Sequence, residues 1–309
     1  MRAPVIGVIW ALAFVILESI QFVFFGNVFQ RMNSFLFGAI VFTISVIAFI
    51  GWSFRYRPQE LRRAFAQPRL MLGINLTATL AWIAFLGSVQ LIEPAIAYTI
   101  GSGVMPIAAW LAYKLQLPEG EPLRNQAERL GIIIVSVAII GLGLITLLGQ
   151  SGFARGDWST ALLGVTLAIA DGVFFTWLLM RCQRLSKHDV GAGAVFGLRF
   201  PLYILVSAGL FAAGAGIENQ TDPADSLWIV AVGLILVVPP LYALQKAVAL
   251  VPTLTLSAVT ATGPFVIFVL QIIEGRVAQS GLTLAGLLIY FTGALLAAYG
   301  AMKATASRA

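Results

Sequence analysis

Stretches of about twenty apolar residues succeed one another along the whole chain, and no other feature restricts the fold so sharply, because a helix of that length matches a bilayer core. On that ruler the spans fall near 5–26, 35–53, 70–88, 94–113, 130–149, 160–180, 191–214, 227–246, 252–273 and 281–302. Barrel strands would alternate apolar and polar residues, whereas these runs are continuously apolar. Composition points the same way. Of 309 residues 60% are hydrophobic and 10% charged, against roughly 25% charged in an ordinary soluble domain. So little polar side chain leaves a soluble globule without a wetted surface. The expected fold class is all-α integral membrane with ten transmembrane helices, and the lipid bilayer is its first partner.

The net charge of +6 does not indicate nucleic acid, because the basic residues sit in short segments between apolar runs rather than on one polar face. They act as topology signals. Arg2, Arg55, Arg57, Arg62, Arg63, Arg69, Lys114, Arg124, Arg129, Arg181, Arg184, Lys187, Lys246, Lys303 and Arg308 fall on one side, and Arg31, Arg155 and Arg276 on the other. The positive-inside rule makes the richer side cytoplasmic, with both termini on it. The connections 54–69 and 114–129 are too short for an ATPase domain, and no P-loop is present. One cysteine, Cys182, and one histidine, His188, both fall in a connection. No disulfide, metal centre or cofactor is expected, and an intramembrane enzyme would lack its clustered nucleophile and base.

The chain also repeats itself at a separation of 158 residues: Pro94 and Pro106 open and interrupt one span as Pro252 and Pro264 do another, with Thr99 aligned on Ser257 and Ser102 on Thr260. Phe37-Gly38 matches Phe196-Gly197 at 159. Residues 1–153 and 154–309 thus form two five-span halves of one membrane domain. An odd number of spans per half makes the repeats inverted, the architecture of secondary transporters, with the substrate expected near the midplane.

Trp10 in the first span, the segment from Trp82 to Glu93-Pro94, the Pro252 to Pro264 frame followed by Glu274, and the Gly-rich last span from Gly286 to Gly300 together resemble the drug/metabolite transporter superfamily, specifically its ten-helix EamA-type exporters. The resemblance covers nearly the whole chain. It implies a carrier in the cytoplasmic (inner) membrane of a prokaryote, exporting small metabolites, amino acids or cationic drug-like compounds by secondary active transport. Proton exchange is one drive and the solute gradient another; a passive facilitator or channel is the alternative. The family's common acidic residue after span 4 is missing, since Gln116 stands opposite Glu274, and Glu18 and Gln21 occupy a late first-span region that is often basic.

Ionisable groups inside a bilayer are costly and mark function by default. Three qualify: Glu18, Asp171 and Arg199. Glu18 shares a helix face with Trp10, Phe14 and Gln21, which suits a cation or a proton. Asp171 and Arg199 flank one cytoplasmic connection at similar counted depth, so they are expected as a structural ion pair, with substrate binding the other reading. Tyr98, Thr99 and Ser102, with Ser257 and Thr260 as their counterparts, precede helix-interior prolines, which free a backbone carbonyl. They either line a cavity or bond their own helices. Asn75, Trp82 and Tyr242 complete the expected lining. Gly293, Ala297 and Ala301 form a small-residue stripe, expected to pack within a monomer, with a homodimer as the alternative.

Overall fold

A computed structural model describes residues 3–117, 120, 122–123, 125–216, 222–250, 259–278 and 280–306. Within them the chain is all-helical: α1 (Ala3–Val28), α2 (Ser34–Tyr56), α3 (Pro58–Phe65), α4 (Pro68–Leu91), α5 (Pro94–Lys114), α6 (Gln126–Leu147), α7 (Trp158–Ser186), α8 (Ala192–Leu198), α9 (Pro201–Ala212), α10 (Pro223–Leu250), α11 (Gly263–Glu274) and α12 (Gly281–Ala306). Among the described residues nine helices are long and apolar enough to cross a membrane, taking α8 and α9 as one, while α11 is a shorter apolar helix. Pro252 and Ser257 of the expected ninth span lie outside the described residues, as does the Asn219 to Thr221 stretch.

Local chemistry sets the helix ends. Asn33 accepts hydrogen bonds from the Phe35 and Leu36 amides, Asn125 from Glu128, and Asp157 from Thr160, which satisfies otherwise orphaned first-turn donors. Proline opens α4, α5 and α9, where its missing N–H costs nothing. The seventh expected span is not one helix: α8 ends at Leu198, and Arg199 and Phe200 separate it from α9 at Pro201. The connection 54–69 contains the short helix α3.

The main packing partners are α6 with α12, α4 with α7, α1 with α10, α5 with α7, α2 with α9 and α1 with α11. Small residues set the closest of these. A Cβ on Gly131 of α6 would collide with the Ala297 backbone of α12, and one on Gly293 would stand 2.8 Å from the Val135 amide. The small-residue stripe of the last span is thus packed inside this chain. A Cβ on Gly172 of α7 would likewise strike the Gly101 carbonyl of α5. Outward faces stay apolar, with Ile47, Leu72, Ile133, Leu205 and Ile235 exposed, as a helix facing lipid requires.

Candidate functional site

The backbone approach of α7 to α5 carries Asp171 in with it: its Oδ2 would stand 3.1 Å from a Cβ on Gly101. Glu18 of α1 faces the same region, near enough for the charge of Asp171 to be felt at its carboxyl. Between them lies Tyr98, one turn into α5 and buried. Its hydroxyl is within hydrogen-bonding reach of the Glu18 carboxylate and 3.4 Å from the Thr260 carbonyl. Ser102, four residues on, donates to the Tyr98 carbonyl at 2.7 Å and lies 3.0 Å from the Tyr290 hydroxyl of α12. Ser19 reaches the Gly263 carbonyl at 3.5 Å, and the Phe22 ring stands edge-on to Tyr98 at 4.9 Å. Glu18, Tyr98 and Ser102 come from the first half of the chain, and Asp171, Thr260 and Tyr290 from the second. No basic side chain pairs with Glu18 or Asp171 among the described residues.

Several expected lining residues lie elsewhere. Tyr242 is 49% exposed, stands edge-on to Trp10 at 5.8 Å and lies under Lys246, so it does not face the cluster. Thr99 is buried and donates to the Ala95 carbonyl of its own helix, the self-satisfied alternative. Gln21 is buried, and its Nε2 meets no acceptor among the described residues. Asn75 braces the gap between α8 and α9: its Nδ2 donates to the Leu198 carbonyl at 2.9 Å and its Oδ1 accepts from the Leu202 amide at 3.2 Å. Trp82 packs beside that gap, with ring centroids 4.6 Å from Phe42 and 5.9 Å from Phe200.

The expected ion pair between Asp171 and Arg199 is not formed. Arg199 sits within reach of the Cys182 thiol, three turns along α7 from Asp171. The depth count failed because α7 continues beyond its apolar run to Ser186. Asp171 is therefore about 22 Å from the Ser186 end of its helix, whereas Arg199 is only about 10 Å beyond the start of α8.

A second polar assembly was not foreseen. Glu93, in the turn between α4 and α5, is fully buried, and its Oε2 accepts from the Gly152 amide at 2.8 Å and the Thr283 hydroxyl at 3.2 Å. Burial pushes its carboxyl up to about 7, against the lowering effect of the Gly152, Thr283 and Gln271 donors. Beside it the Gly152 carbonyl accepts from Ala278, Gln271 accepts from the Ala95 amide, and Glu274 takes bonds from Asn27 at 2.6 Å and Arg276 at 3.3 Å. Three connections, 91–94, 150–155 and 275–280, are tied together there. A turn glutamate gave no sign of this, because turn residues are expected in water. Tyr290 was equally hidden, since a tyrosine in an apolar helix reads as packing.

Among the described residues no group of His, Cys, Asp or Glu side chains is arranged to hold a metal ion. No family model matches the chain, and no curated protein matches it. Its fold does match solved structures. One, described only as the crystal structure of a protein, superposes with a TM-score of 0.63 over 98% of this chain and 99% of that one, at 21% identity. At that identity the likeness is one of fold.

Proposed function

We propose that this chain is a secondary active transporter of small solutes, built as two inverted five-span repeats of the EamA type, with proton or cation exchange at the Glu18 and Asp171 cluster. The observation that carries the reading is the meeting of two acidic side chains, one from each half, inside an apolar helical assembly and flanked by Tyr98, Ser102 and Tyr290. Carboxylates set within an apolar helical assembly without a basic partner are costly unless a proton or a cation joins them.

Packing supports the repeat. Exchanging each span with the one five places away turns the contact of α1 with α10 into that of α7 with α4, and the contact of α5 with α7 into that of α11 with α1; α6 with α12 and α2 with α9 map onto themselves. That is the pattern expected of a pseudo-two-fold axis. Ten spans, cytoplasmic termini and an inner-membrane location follow from the same reading and the distribution of basic residues.

The test is solute flux in proteoliposomes with and without an imposed pH gradient. Flux that rises with the gradient and falls to the ungraded level in Glu18→Gln supports exchange. Flux indifferent to the gradient points to a facilitator.

A further inference from the structure

Arg199 is the largest fully buried side chain among the described residues, at 2% exposure. Its guanidinium lies 5.0 Å from the Phe196 ring and 4.7 Å from the Phe200 ring. Both Nε and Nη2 are buried and meet no acceptor among the described residues. Those two atoms form the side-on edge of the guanidinium, whose parallel N–H bonds match the two oxygens of a carboxylate. A second buried donor, Trp82 Nε1, also meets no acceptor, and its ring borders Phe200. The same place holds the start of α9, a helix of 12 residues, whose dipole adds positive potential. Among the described residues Asn75 accepts there from the Leu202 amide, and the Cys182 thiol is within reach of the guanidinium.

From this convergence of unpartnered donors we propose a carboxylate-binding site at the break between α8 and α9, with Arg199 holding the carboxylate side-on and Phe42, Phe196, Phe200 and Trp82 receiving an apolar or aromatic body. One guanidinium neutralises one carboxylate, whereas a dianionic phosphate would bring an unmatched buried charge. The edge is occluded in this structure, as a carrier's site is during part of its cycle. An aromatic series, Phe200, Trp82, Phe85, Phe22 and Tyr98, leads from this site to Glu18, each ring within 6 Å of the next. As a statement about transported solutes the proposal rests on the transporter reading; as a statement about binding it stands alone.

The test is calorimetric titration of the full chain in nanodiscs with phenylacetate, its neutral isostere phenylacetamide, and inorganic phosphate. Phenylacetate should bind about tenfold or more tightly than either comparison compound. Arg199→Lys, which keeps the charge and loses the paired edge, should weaken it by about the same factor. Equal binding of acid and amide, an unaffected Arg199→Lys, or no heat with phenylacetate overturns the site, and the acid-to-amide comparison in the unaltered protein needs no variant to fold. Phenylacetate binding without flux defeats the transporter reading and leaves the site; flux of solutes lacking a carboxylate, with no phenylacetate binding, does the reverse.

Discussion

At the scale of single residues, the two interior acids respond differently from what their sequence positions imply. Had Asp171 neutralised Arg199, Asp171→Asn would strand a buried cation and destabilise the protein. With Arg199 beside Cys182 instead, Asp171→Asn should leave thermal stability within about 0.5 kcal/mol and reduce gradient-driven flux, as Glu18→Gln does. Differential scanning fluorimetry together with the proteoliposome assay checks both halves of this expectation, and a large loss of stability in Asp171→Asn would contradict it. That Glu18 and Asp171 fall within apolar helices was legible in the sequence, and an acid in such a run is a candidate for function by default. Their neighbours were not, since pairing depends on where α7 ends, and its last turns are amphipathic rather than apolar.

At the scale of elements, the weak point is the interrupted span. Helices α8 and α9 leave backbone groups unpaired at their junction, and Asn75 of α4 serves one on each side. Asn75→Ala removes both bonds at once. Leaving two partly buried backbone groups unsatisfied should cost about 2 kcal/mol, read as a lower unfolding midpoint in detergent, whereas Thr79→Ala should cost less because its hydroxyl only returns to the Asn75 carbonyl of its own helix. The break itself was foreshadowed by Pro201, but a proline in a span is as often a kink as an end, so its bracing from another helix was not readable.

At the scale of the whole molecule, the end where 91–94, 150–155 and 275–280 meet is closed through Glu93. Its carboxyl, raised to about 7 from an ordinary 4.5, favours the closed arrangement when protonated. That contribution is complete below about pH 4.5 and is lost as pH rises through about 7. Glu93→Gln should match the parent protein at pH 5 and exceed it at pH 8, by an amount on the order of 3 kcal/mol at most, measured as thermal midpoints across that range. Equal midpoints at both values would show that Glu93 does not titrate there. The proposed orientation puts this end outside the cell. A single cysteine at position 154 in a Cys182→Ser background should react with an impermeant thiol reagent added externally, and labelling only from the cytoplasm would reverse the topology. That the chain is a succession of apolar helices was readable from apolar length alone, and nine of them among the described residues are long enough to cross a membrane. The knot of connections was not, because its bonds join residues 59 to 190 apart in sequence.

The phenol of Tyr98 has two claimants, the Glu18 carboxylate and the Thr260 carbonyl, and one hydrogen atom to give. Under the proposed exchange, a proton or a cation on Glu18 would release the phenol to the backbone just ahead of α11, and a bare Glu18 would call it back. Occupancy on one side of the cluster would then reach the other through the swing of a single O–H bond.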